Sequence, residues 1–171
     1  MLRFTQLIED DGDPRPSNDA GPSDAVLTMR FEDRRRSRMR ARLDDGREAA
    51  LLLPRGTVLR DGDRLRDPDA NEVVTVRAAA QTLSLARASD GLLLARAAYH
   101  LGNRHIPVQV GPGWLAYEHD HVLDHMVADL GLAVDTHVAP FEPEAGGYRH
   151  AAAANDAGGH RHDHGGHRHD H

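Results

Sequence analysis

The order of structural signals along this chain of 171 residues predicts an α+β fold. Three observations carry that expectation. The first half is a series of short β-type runs separated by turn residues, with no helical periodicity. Two amphipathic helical stretches occur only in the second half, interleaved with strands in the order β-α-β-β-α-β, the ferredoxin-like plan. Beyond residue 147 hydrophobic patterning stops, and the chain ends in a histidine-rich repeat.

Taken in order, Met1 to Ile8 begins with a short strand, and residues 9–24, rich in Asp, Pro, Gly and Ser, read as a mobile loop. Ala25 to Phe31 is a strand by its apolar content. Arg34 to Leu43 reads as a half-buried strand with a cationic outer face, because Arg38, Arg40 and Arg42 alternate with Met39, Ala41 and Leu43. That basic face suits an acidic partner, or a charged edge that deters aggregation. Asp45-Gly46 signals a hairpin into Ala49 to Leu53. Turns at Pro54-Arg55-Gly56 and Asp61-Gly62-Asp63 precede a last strand, Val73 to Val76. Residues 1–78 are therefore expected to form a small, mostly antiparallel β domain.

The next domain, 79–147, opens with a strand at Thr82 to Ala86. Ser89 or Asp90 caps a helix through Leu92, Leu93, Leu94, Ala97, Ala98 and Leu101, with Gly102 at the C′ position. His100 shares the apolar face with Leu93 and Ala97 and reads as a satisfied core histidine. Strands Ile106 to Val110 and Trp114 to Tyr117 flank a Gly111-Pro112-Gly113 turn. A second helix, about 119–130, carries Val122, Leu123, Met126, Val127 and Leu130 at helical spacing. Gly131 ends it, and Val134 to Val138 is the last strand. Residues 148–171 are expected to be a disordered metal-binding tail.

Composition narrows the chemistry. There are no cysteines, so disulfides and thiolate metal sites are excluded, and all 21 cationic residues are arginine, so Schiff-base lysine chemistry is excluded too. A net charge of -6 argues against nucleic acid as a partner. No stretch approaches the ~20 apolar residues of a membrane span, and the N-terminus lacks the apolar core of a secretory signal, so a cytoplasmic location with no membrane partner is expected. No GxSxG, P-loop, HExxH or cysteine nucleophile is present, and the chain is not expected to be an enzyme.

Thirteen histidines remain as the outlier. Gly158-Gly159-His160-Arg161-His162-Asp163-His164 recurs as Gly165-Gly166-His167-Arg168-His169-Asp170-His171, six histidines in 14 residues. Closely spaced imidazoles on a flexible chain can wrap a divalent ion, nickel, copper or zinc alike; a solvated spacer is the bland reading. His121 and His125 lie four apart on one face of the second helix, with His119 at its entrance, which suits a surface metal site or a merely polar helix start. His105 follows the end of the first helix. Alone it cannot hold an ion, but two copies across a two-fold axis can; a hydrogen-bonded loop histidine is the plainer alternative.

Tyr99-His100-Leu101-Gly102-Asn103-Arg104-His105-Ile106-Pro107-Val108-Gln109 resembles the most specific segment of the UreE family of urease accessory proteins. Asp120-His121-Val122-Leu123 with Met126, Leu130-Gly131-Leu132, the run from Pro140 to Tyr148, and the run from Leu53 to Asp63 support the same resemblance over nearly the whole chain. It implies an N-terminal domain similar to a chaperone peptide-binding module, a ferredoxin-like metal-binding domain and a homodimer. His105 would meet its symmetry mate around one nickel ion, His119 and His121 would form a peripheral site, and the tail would hold further nickel. The cargo would be Ni2+, with Cu2+ or Zn2+ also bound. The partners would be the urease accessory GTPase and, through it, the urease apoprotein complex. His125 stands where many members carry an acidic residue, so its role and that of His150 stay open. Nickel or zinc storage is the alternative function.

Overall fold

Alternating burial dictates the strands of the first half. The computed structural model describes residues 1–8 and 25–145, so the expected loop at 9–24 and the tail lie outside the described residues. β1 (Leu2–Phe4) pairs in parallel with β5 (Glu48–Leu52), which pairs antiparallel with β4 (Arg38–Arg42). A second sheet takes β2 (Gln6–Ile8), β6 (Arg64–Asp67), β7 (Glu72–Ala78) and β3 (Ala25–Met29) in that order. Between them Phe4, Leu27, Leu51, Leu59, Leu65, Val74 and Val76 form one core. Asp67 is buried among backbone donors, accepting from Arg3 N at 2.6 Å, Asp69 N at 3.0 Å and Ala70 N at 3.1 Å. Burial raises its carboxyl pKa, but those three donors and the Arg3 charge outweigh burial and hold it below the usual carboxylate range.

The expected basic strand divides. Arg38, Arg40 and Arg42 are exposed on β4, while Met39 and Ala41 pack on the core. Arg34 instead ends a single helical turn, α1 (Phe31–Arg34), and its side chain is fully buried. Its guanidinium pairs with Glu142 and donates to the carbonyls of Leu59 at 3.1 Å and of Phe141. The periodicity was continuous in sequence, but the backbone turned where Arg34 found partners more than a hundred residues away. The β6 strand carried too little apolar content to be anticipated.

In the second half β8 (Ala80–Arg87), β9 (Gln109–Gly111), β10 (Trp114–Glu118) and β11 (Ala133–Pro140) form one antiparallel sheet in the order β11-β8-β10-β9. Helices α2 (Gly91–Gly102) and α3 (His121–Asp129) cover one face, around Ala86, Ala97, Leu101, Leu115, Tyr117 and Val127. The opposite face, through Leu83 and Ala116, meets Phe31 and Phe141, so the first half packs there. Phe31 N donates to Gln81 Oε1 at 3.0 Å across the same junction. Among the described residues no helix is long and apolar enough to cross a membrane.

Several expected boundaries move. The strand foreseen from Ile106 begins only at Gln109, because Pro107 offers no ladder N–H. Gly111 lies in that strand, and a Cβ there would fall 2.2 Å from Trp114 Cε2, so the indole requires glycine. The second helix starts at His121, with Asp120 as cap and His119 outside it. Of the positions expected on its apolar face, Val127 is buried and Leu123, Met126 and Leu130 pack against the same cluster, while Val122 is 62% exposed. His100 is half-buried against the edge of Tyr99 and is no core histidine.

Candidate metal centre

His105 is positioned by how α2 stops. Asp90 caps the helix, its Oδ1 accepting from Leu92 N at 2.8 Å. Gly102, foreseen as the left-handed C′ glycine, is still helical. The left-handed residue is His105, at φ 58°. His105 N donates to Gly102 O at 2.9 Å and Ile106 N to Leu101 O at 3.1 Å, the pair of bonds that define a Schellman end. Ile106 packs with buried Leu101 in the same cluster, the hydrophobic contact that accompanies such an end. Pro107 then prevents continuation. The cost of the left-handed state for a β-carbon residue is about 1–2 kcal/mol, and backbone strain of this kind gathers at functional positions.

The consequence is an exposed imidazole on a fixed base. No group hydrogen-bonds the His105 ring among the described residues. It lines a cleft of about 480 Å3 with Phe31 and Val58 from the first half and Pro107, Val108 and Glu144 from the second. Glu144 N donates to Val108 O at 2.8 Å, so the chain leaving for the tail is pinned beside His105.

The second histidine group sits across β10 and α3. His119 N donates to Thr82 O at 3.1 Å. His119 Nδ1 lies 3.0 Å from Ser84 Oγ and 3.0 Å from Asp124 Oδ2. The buried Tyr117 hydroxyl donates to Asp124 Oδ1 at 2.8 Å. Burial first, then that bond to a carboxylate, pushes the Tyr117 hydroxyl well above the usual phenol range. Asp120 Oδ1 accepts from Val122 N at 2.7 Å and Leu123 N at 3.2 Å, and these backbone bonds lower its carboxyl pKa. His121 and His125 are both exposed on α3.

Among the described residues no group of three or more His, Asp or Glu side chains converges on a cation-sized space. His105, His119 and His121 are thus separate accessible imidazoles and do not form one ready-made site. The tail histidines His160, His162, His164, His167, His169 and His171, and also His150, lie outside the described residues. Sequence reasoning missed Ser84, Tyr117 and Asp124. Ser84 faces Tyr117 only through the β8–β10 register, which spacing along the chain cannot reveal; Tyr117 and Asp124, flanking the histidines, were the available hint.

Imidazole donors of this kind suit nickel, copper or zinc. The model of the UreE urease accessory protein N-terminal domain matches residues 4–79, and that of the C-terminal domain matches residues 72–171. A urease accessory protein UreE of Alkalilimnicola ehrlichii is 53% identical over 154 residues, covering 85% of this chain and 94% of that protein. One from Citrobacter koseri is 51% identical over 164 residues, covering 96% and 99%. One from Pseudomonas putida is 56% identical over 126 residues, covering 74% and 78%.

Proposed function

Because the chain belongs to the UreE family of urease accessory proteins, an accessory family and not a family of enzymes, we propose that it is a cytoplasmic nickel metallochaperone that supplies Ni2+ for assembly of the urease active site. Nickel is its cargo. Two chains associate about a two-fold axis, and the paired His105 imidazoles hold one ion between them. The observation that carries this reading is the exposed, unbonded His105 ring on a strained helix end. A rigid base presents the ligand, and two nitrogens leave the coordination sphere incomplete, so that a partner with more donors can take the ion by ligand exchange.

The finer assignments follow the same reading. Residues 1–78 form the β domain, similar to a chaperone peptide-binding module. Residues 79–147 form a ferredoxin-like metal-binding domain, supported by the β11-β8-β10-β9 order with both helices on one face. Residues 148–171 are a histidine-rich tail that gathers nickel near His105, while His119 and His121 hold a peripheral ion. Copper and zinc compete for the same imidazoles. The receiving partner is the urease accessory GTPase, and through it the urease apoprotein complex.

The test is nickel calorimetry with light scattering on the chain ended at Gly147 and on its His105→Ala variant. One tight ion per pair of chains, lost in the variant, is the expected result. Absence of a tight site would move the binding to the tail and favour storage, which the repeat at 158–171 independently supports by its capacity. Deleting that repeat separates the two readings: a chaperone loses capacity and keeps delivery. Because only neutral imidazole ligates, nickel loading weakens below about pH 6; a titration unchanged between about pH 7.5 and 5 would rule out histidine-only ligation.

A further inference from the structure

One polar network of the second half has no part in the His105 site. It runs from the core to the surface in four groups. Tyr117 is fully buried on β10, directly across the register from the equally buried Ser84 on β8. Its hydroxyl donates to one oxygen of Asp124, at 2.8 Å. The other oxygen of Asp124 lies 3.0 Å from His119 Nδ1, and Ser84 Oγ lies 3.0 Å from the same nitrogen. The inner edge of the His119 ring is therefore engaged, while 40% of the side chain remains exposed.

The chemistry of these partners sets which nitrogen holds the proton. A carboxylate has no hydrogen to give and only accepts, whereas a neutral imidazole donates from one nitrogen and accepts at the other. A lone pair on Nδ1 would face the Asp124 oxygen directly. A proton on Nδ1 is instead shared with Asp124, and Ser84 Oγ can accept part of it. The lone pair is then left on Nε2, on the open side of the ring. The Tyr117 hydroxyl fixes the carboxylate from behind, so Asp124 cannot swing away from His119 without leaving a buried phenol unpaired.

We propose that Asp124, held by Tyr117, is a positioning residue that locks His119 in its Nδ1–H tautomer and so presents Nε2 as a ligand for a divalent cation. A carboxylate behind a ligating histidine fixes ring orientation and raises ligand basicity, and losing it typically costs about 10- to 100-fold in metal affinity. The inference rests on the peripheral role given above to His119 and His121, and is independent of His105.

The discriminating variant is Asp124→Asn. It keeps size and the oxygen that Tyr117 uses, but offers an amide that donates to Nδ1 and so favours the opposite tautomer. The full-length protein is labelled with 15N-histidine, and His119 is assigned with a His119→Gln variant. Its ring nitrogens are read first without metal, then at buffered free Zn2+, a diamagnetic probe, so the tail histidines report separately. The expected result is Nδ1–H in the native chain and Nε2–H in Asp124→Asn, with occupancy at His119 needing about 10- to 100-fold more free zinc. Tyr117→Phe, which keeps the ring in the core, gives a smaller shift in the same direction. Nε2–H in the native chain, or equal zinc responses in native and Asn forms, would overturn the inference, as would a His119 that ignores zinc altogether. None of these results touches the nickel stoichiometry of His105, and loss of that stoichiometry would leave the His119 result standing.

Discussion

A histidine at φ 58° stores strain that glycine would not. His105→Gly should therefore raise the stability of the metal-free protein by about 0.5–1 kcal/mol, the relief of the left-handed strain less the entropy of the added glycine. His105→Ala, which keeps the β-carbon, should stay within about 0.5 kcal/mol of the native chain. Urea unfolding at matched concentration measures both, and both variants should lose tight nickel binding. A His105→Gly protein less stable than His105→Ala would mean that the backbone is not strained by its side chain. The segment around His105 was legible because helix end, glycine, histidine and proline follow one another. The displacement of the left-handed residue from Gly102 to His105 was not, since any of these positions can end a helix until Leu101 and Ile106 choose by packing. Asp67 makes the complementary case. Its three backbone donors and lowered pKa predict that Asp67→Ala costs about 2 kcal/mol, by leaving buried donors unpaired.

At the scale of an element, α3 depends on a single carboxylate. Asp120 accepts two backbone N–H groups that the first turn cannot satisfy internally. Its folded pKa lies below the unfolded value because those bonds favour the charged form. The capping contribution is thus fully present above the unfolded carboxylate value of about 3.9 and is lost as pH falls through the lower folded value. Amide exchange at Val122 and Leu123, corrected for the intrinsic rate, should speed up as pH drops below about 4, and Asp120→Asn, which caps without titrating, should remove that pH dependence. An unchanged profile in the Asn variant would place the acid-sensitive group elsewhere. The helix itself was readable from its 3.6-residue period. Its buried face was read correctly at Leu123, Met126, Val127 and Leu130 and one residue too wide at Val122, because period alone fixes a stripe and not the angle at which the sheet receives it. The β8–β10 register that brings Ser84 to Tyr117 and so to His119 belongs to the same blind spot.

At the scale of the molecule the two halves meet through one buried cation. Arg34 is fully enclosed, its guanidinium is shared between Glu142 and the carbonyls of Leu59 and Phe141, and its Nε has no partner among the described residues. Glu142 also meets Arg60, at 3.4 Å, and Arg60 reaches Pro143 O at 2.6 Å. The sequence presented Arg34 as the first of a basic strand, since its partner stands 108 positions away and no local pattern encodes such a pairing. Removing the carboxylate leaves a buried charge without its counter-ion, a change that costs about 3 kcal/mol even allowing for the partial exposure of Glu142. Glu142→Ala should accordingly lower the urea midpoint and, because Phe141 and Phe31 bridge the halves at the same place, split calorimetric unfolding into two transitions. Nickel binding at His105 should survive, since His105 is set by the end of α2 and not by the junction. A single transition at the native temperature would show that the apolar contacts of Phe31 and Phe141 suffice to couple the halves, and that the arginine contributes specificity of docking without net stability.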